Sequence, residues 1–218
     1  MAPQARSGAT RQKILDAAMD LFSEVGYAAA GLGEIIERAG MTKGALYHHF
    51  DSKEALATAI IEQGTNLTRD AFGHVCESSS PALENMIHGG FVVTDLLFSD
   101  KTARTADQLT RGLAEFNTAA SQVLSSRLDA MTTQARLASA EGDLREGLDP
   151  AVVSESILNA MLGAQLLANP ADGNDHVQRL TRSLELLLPA IVADTSLAYF
   201  REFLARESLR HATGHPSM

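Results

Sequence analysis

The sequence predicts an all-α fold, and three observations carry the prediction. Apolar residues recur at spacings of three and four through most of the 218 residues, which is the period of a helix with one buried face. No run of alternating β-branched residues marks a strand. Residues that start and stop helices punctuate the chain at short intervals.

Ile14, Ala18, Leu21, Phe22 and Val25 form an apolar stripe on a first helix that Thr10 can cap and Gly26 can end. Leu32, Ile35, Ile36 and Ala39 repeat the pattern over two turns before Gly40. Thr42 then caps a third short helix whose inward positions are Ala45, Leu46 and Phe50. Helices this short bury little alone, so the three are expected to pack as a trihelical domain over residues 1–53, with residues 54–218 forming the second.

Asp51 or Ser52 caps a fourth helix running to the late 70s; Asp51 with Glu54 fits a capping box, and Ser52 is an equally good cap. "SSSP" at 78–81 breaks it. A fifth helix carries Leu83, Met86, Ile87, Gly90, Phe91, Thr94 and Phe98, followed by a turn through Ser99 to Lys101 and a weak helix to Gly112. A long helix is expected from Phe116 to Glu141, closed by Gly142. Asp149 and Pro150 start the next, "AVVSESILNAMLGAQLLA", and "ADGND" separates it from one bearing Val177, Leu180, Leu184, Leu187, Leu188 and Ile191, which Pro189 should kink or shorten. A last amphipathic helix with Leu197, Phe200, Phe203 and Leu204 precedes a polar tail, "RHATGHPSM", expected to fray.

Two of these helices, the pair before the last, are apolar over more than one face, and Gly163 and Ala164 allow close approach. One face is expected to serve the chain's own core and another a second copy, a homodimer contact through Leu158, Met161, Gly163, Leu184, Leu187, Leu188 and Ile191.

Hydrophobic residues make up 45% of the chain and charged ones 21%, near globular averages. No stretch of about 18 uncharged apolar residues exists and the N-terminus lacks an apolar signal core, so a soluble, cytoplasmic protein without a membrane partner is expected. The single cysteine, Cys76, excludes an intramolecular disulfide and a cysteine-rich zinc site. The net charge of −9 is unevenly spread: residues 1–53 hold six cations and six anions, leaving 12 of the 18 cations and 21 of the 27 anions in the remainder. A neutral head on an acidic body fits a protein that touches nucleic acid with one end only.

The stretch "GMTKGALYHHFDSKEAL" at 40–56 carries the chemistry. Two short striped helices joined by a glycine-containing turn and braced by a third form a helix-turn-helix, whose second helix enters the major groove of double-stranded DNA. With Ala45, Leu46 and Phe50 inward, Lys43, Gly44, Tyr47 and His48 lie on the other side. Gly44 costs the helix about 1 kcal/mol against alanine, which suggests that something approaches its backbone closely. Tyr47 and His48 can donate to phosphates or reach base edges, Lys43 adds charge, and Thr42 with the helix N-terminus offers donors to a phosphate. His48 and His49 point about 100° apart and have no HxxxH or HxxE partner, so no metal site is expected there, nor any cofactor. Two alternatives stand beside the DNA reading: an all-helical enzyme with His88 or His176 as general base, and a helical module that binds a partner protein. Against the first, no nucleophile and base stand at an informative spacing and no phosphate loop is present, so no catalytic residue is assigned.

The order of helix, "GY", helix, "AGMTKGALYHHF" and "SKEAL" within residues 10–56 resembles the TetR family of one-component transcriptional repressors. The resemblance implies nine or ten helices, with the last long pair forming a four-helix dimer interface, and a homodimeric repressor released from a pseudopalindromic operator by a small-molecule effector. It implies DNA contacts at Thr42, Lys43, Gly44, Tyr47 and His48 and a phosphate contact at Lys53, with His49 and Phe50 structural. Where the family usually has a threonine or serine pair entering its second helix, this chain has Ala30 and Gly31, which shifts weight to Arg6 and Arg11. The effector is expected among helices five to eight, near Phe91, Thr94, Phe98, Phe116, Asn159 and Gln165. "MTKGALYHHFDSKEALATAIIE" is also similar to the γ-butyrolactone-receptor branch, which senses hormone-like lactones in actinobacteria. That branch typically has a pocket tryptophan; this chain has none, and the matching place falls near Ala119.

Overall fold

The computed structural model describes residues 2–77, 81–169 and 172–213, with side chains described from residue 7 to residue 212 of these. Ten helices lie among the described residues: α1 (Ala2–Ala29), α2 (Leu32–Ala39), α3 (Lys43–His49), α4 (Lys53–Cys76), α5 (Ala82–Ser99), α6 (Lys101–Leu113), α7 (Thr118–Glu141), α8 (Pro150–Leu167), α9 (Asp175–Ile191) and α10 (Leu197–Thr213). They gather into two compact units, Met1–Leu67 with Ser99–Val123, and Thr68–Phe98 with Leu124–Met218. Helices α4 and α7 contribute residues to both, and position 53, where the first domain was expected to end, is the first residue of α4.

In the first unit α1 packs against α2, α3 and α6. The core joins Ile14, Leu15, Met19 and Phe22 of α1 to Ile35, Leu46 and Phe50, to Leu56, Ile60 and Ile61 of α4, and to Ala106, Leu109 and Val123. These are the inward positions that the helical period marked, extended by α4, α6 and the start of α7. A glycine inside α4 has a packing reason: a Cβ on Gly64 would stand 2.3 Å from Ala106 Cβ and 2.9 Å from the Thr102 carbonyl oxygen. Alanine there would force the two helices apart.

Several ends follow local chemistry. Gly26 (φ 80°) interrupts α1 and Gly40 (φ 62°) closes α2, both in the left-handed region that glycine enters without steric cost. The Ser52 hydroxyl accepts from the Ala55 N–H at 3.0 Å, so Ser52 caps α4. Asp149 accepts from the Ala151 N–H at 2.9 Å, with Pro150 opening α8. Pro189 sits in the last turn of α9, which stops at Ile191.

Three expected ends were wrong. Helix α1 runs through Thr10 from Ala2, because Pro3 is tolerated in a first turn and nothing before Thr10 breaks the helix. Helix α7 starts at Thr118, not Phe116, because the Asn117 side chain accepts from the Ala120 N–H at 3.0 Å and caps it. Residues 210–213 of the supposed tail are helical, since Asn174 donates to the Ala212 carbonyl at 3.0 Å and the His211 ring stacks on Phe91 at 5.2 Å. Residues 78–80 and 214–218 lie outside the described residues.

In the second unit α9 packs against α8 and α10. Leu158, Met161, Leu184, Leu188 and Ile191, which the sequence suggested for a contact with a second copy, are buried in the chain's own core with Leu83, Ile87, Leu180 and Phe200. Leu187 and Gly163 are half-buried. The large apolar side chains left outside on α8 and α9 are Val152, Leu166, Leu167 and Leu186, the last 82% exposed.

Candidate nucleic-acid interface and the polar cluster of the second unit

Helix α3 is held by its buried side and capped at its start. Leu46 has no exposed surface, Phe50 is 4% exposed, and the Thr42 hydroxyl accepts from the Ala45 N–H at 3.2 Å. The opposite side is bare: Thr42, Lys43, Gly44, Tyr47 and His48 are all exposed, Tyr47 at 43%. The Lys43 ammonium lies 5.8 Å from the centre of the Tyr47 ring, so cation and phenol share one patch. His49 is half-buried, its ring centre 5.0 Å from that of His48 in an edge-on arrangement. A Cβ on Gly44 would meet nothing nearer than the Thr42 hydroxyl at 4.0 Å. Packing within the chain therefore does not require glycine at this point.

The other cations of the head are differently engaged. Arg38 forms a bidentate pair with Glu24, both bonds 2.6 Å, tying α2 to α1 and holding the Glu24 carboxyl below its ordinary range. Lys53 donates to the carbonyls of Tyr27 (2.8 Å), Ala28 (3.2 Å) and Ala30 (2.9 Å), which fills its three donors. Its ammonium thus fastens the start of α4 to the last turn of α1 and the residue that follows it. Arg11 is half-buried with its guanidinium 5.0 Å from the Phe50 ring centre. The side chain of Arg6 lies outside the described residues. At the head of α2 the Gly31 N–H donates to Glu34 at 3.1 Å, so an internal carboxylate occupies the donor at the departure from the family pattern.

The residues expected around an effector are distributed unequally. Thr94 and Gln165 are joined by a 3.2 Å hydrogen bond, and Phe91 and Phe98 lie on α5 with Thr94. Phe91 is fully buried; Asn159 is exposed on α8. Phe116 belongs to the first unit and is 79% exposed. Ala119 packs against the first unit's core.

Sequence reasoning noticed His88 and His176 singly and missed what joins them. His88 Nδ1 lies 2.6 Å from Glu207 Oε2, and His176 Nε2 lies 3.1 Å from Asp95 Oδ1. His211 Nδ1 bonds Asp95 Oδ2. Burial alone would raise the Asp95 carboxyl, but the hydrogen bonds from His176 and His211 hold it below its ordinary value. His176 is 2% exposed and stacked on Phe98 at 4.1 Å, so it offers no open face to a substrate. Beside this network a cleft of about 570 Å³ is lined by Glu84, Asn85, His88, Phe203, Glu207 and Arg210, among others. Burial pushes the Glu84 carboxyl up, and Tyr199 donates its phenol to it. The one local hint was Glu207 and His211 at helical i, i+4 spacing. No helix among the described residues is long and apolar enough to cross a membrane.

Comparison with known proteins assigns the fold. Residues 14–60 match the bacterial regulatory proteins of the tetR family. The A-factor receptor protein of Streptomyces griseus is 29% identical over 202 residues, 92% of this chain and 70% of that protein. A γ-butyrolactone receptor described as ArpA-like superposes with a TM-score of 0.80 at 26% identity, covering 94% of this chain and 99% of the other. The TetR family protein CprB from Streptomyces coelicolor, in complex with its biological operator sequence, superposes with a TM-score of 0.76 at 26% identity, covering 92% of this chain and 98% of CprB. With a helix-turn-helix domain that matches the tetR family over residues 14–60 and a likeness to such regulators along nearly its whole length, the chain is a TetR-like DNA-binding transcriptional regulator.

Proposed function

We propose that the protein is a homodimeric repressor that binds a pseudopalindromic operator through α3 and leaves it when a small molecule of the γ-butyrolactone kind binds the second unit. The carrying observation is that likeness to the A-factor receptor covers 92% of this chain, well past the DNA-reading domain that diverse regulators share. In this reading Lys43, Tyr47 and Thr42 contact phosphates, while His48 and the open backbone at Gly44 face base edges. Lys53 serves mainly to hold α4 against the end of α1, its donors being engaged there.

A homodimer fits the exposed Val152, Leu166, Leu167 and Leu186 on α8 and α9, apolar side chains that a second copy would cover. Domains at 1–53 and 54–218 remain the working division of labour, reader and sensor. A repressor of this kind would act on the chromosome in the cytoplasm and would need no enzymatic step. The effector acts only through unequal affinity for two conformations of the dimer, one with reading helices about 34 to 36 Å apart and one without. A coupling of about 1–3 kcal/mol weakens operator binding by roughly 5- to 150-fold.

Selecting genomic fragments on the purified protein and titrating the best by fluorescence anisotropy tests this reading. Saturable, salt-sensitive binding that a γ-butyrolactone weakens within that range is the expected result. Absence of any saturable fragment overturns the repressor; binding that γ-butyrolactones leave unchanged overturns the effector class alone.

A further inference from the structure

We propose that His88, Glu207 and His211 form a binding site for a divalent transition-metal ion of the zinc class in the second unit. Helix α5 supplies His88, and one face of α10 supplies the other two. One ligand atom from each can be chosen so that all lie within 4.8 Å of one another.

The decisive feature is His211. Its side chain is 10% exposed, and its Nε2 has no hydrogen-bond partner among the described residues. Nδ1 is directed at the Asp95 carboxylate, and in the tautomer that carries its proton on Nδ1 the ring presents the Nε2 lone pair to a cation. Nε2 in turn faces Glu207 Oε2 at 3.5 Å. A lone pair opposed to a carboxylate in a buried setting repels it unless a cation or proton lies between. A carboxylate behind the imidazole, with a bare nitrogen in front, is the arrangement that orients histidine ligands in metalloproteins. Phe91 stacked on the ring further fixes its plane.

Glu207 is 2% exposed, its Oε2 turned to both histidines and its Oε1 3.1 Å from the Arg210 guanidinium. Two imidazoles and a carboxylate suit zinc, cobalt(II) or nickel better than hard, oxygen-seeking cations. Tetrahedral zinc with bonds of about 2.0–2.1 Å separates neighbouring ligand atoms by about 3.3 Å. The His211–Glu207 separation of 3.5 Å already fits. His88 and Glu207, at 2.6 Å, must open by less than about 1 Å as their shared proton leaves. His88 and Glu207 also line the 570 Å³ cleft, so a fourth position would face water or a small ligand.

The test is calorimetric titration of Zn2+ into the full-length protein after chelation, with cobalt(II) absorption as a second readout. The site predicts one ion per chain and ligand-field bands of low coordination for cobalt(II). It predicts loss of that ion in His211→Ala and in Glu207→Gln, and about 10- to 100-fold weaker binding in Asp95→Asn. His49→Ala should titrate like the wild type. Absence of saturable zinc binding by the wild type overturns the site. So does wild-type titration by a folded His211→Ala, or loss of the ion in His49→Ala. If neither His211→Ala nor Glu207→Gln folds, the cobalt(II) spectrum of the wild type decides, and octahedral bands alone refute the site.

Discussion

Helices α3 and α5 handle polar groups in opposite ways. In α3 the polar side chains Lys43, Tyr47 and His48 are outside, and an apolar residue, Leu46, fixes the helix from within. In α5 the polar residues Glu84, Asn85 and Thr94 are buried, and Asp95 is bonded to side chains 81 and 116 residues away. The contrast separates two kinds of specificity. A face meant for a ligand is defined by what the core leaves uncovered, whereas buried polar groups persist only if distant parts of the chain bring partners to them.

The largest effect that would break this comparison comes from the apolar anchor. Leu46→Ala should destabilise the first unit by about 2–5 kcal/mol, read by urea unfolding. A cost below about 1 kcal/mol would mean that α3 is held by something other than its buried side. Next, Asp95→Ala removes one acceptor from both His176 and His211 and should cost about 1–3 kcal/mol at neutral pH, by the same measurement.

Gly44→Ala sharpens the comparison by separating stability from function. Space for the methyl group exists, so the variant should gain about 0.5–1 kcal/mol in stability yet bind operator DNA more weakly. Equal or tighter binding in anisotropy would remove the close backbone approach. The smallest effect is a pH dependence. Because burial raises the Glu84 carboxyl, the native state keeps that proton where the unfolded chain has lost it. The group's contribution is then most favourable below the ordinary glutamate value of about 4.3 and declines as pH rises towards the folded value. Glu84→Gln should flatten that decline in urea midpoints measured across pH, and an unchanged profile would contradict the assignment.

Legibility from sequence divides along the same line. Thr42, Gly40, Gly26 and Asp149 act on neighbours within four residues, so their caps and stops are written locally. Asn117 and Asp100 cap just as locally, but the apolar period by itself points to a start for α7 two residues early. The faces of α8 and α9 were illegible for another reason: when a helix is apolar nearly all round, its period does not say which side meets its own core. Leu184 and Leu188 face inward while Leu186 faces outward, and only packing against α8 and α10 decides it. The engagement of Lys53 and the His88–Glu207 pair, 119 residues apart, lay beyond any local pattern.

The bare side of α3 is the claim on which the function rests, and a salt titration of DNA binding tests it most directly. Anisotropy of the selected operator fragment should show log affinity falling linearly with log salt for the wild-type protein. Lys43→Ala should flatten the slope by about one, and adding Tyr47→Ala should weaken binding further while urea unfolding stays within about 0.5 kcal/mol of the wild type. Wild-type affinity and slope in a folded double variant would show that DNA is read by another surface.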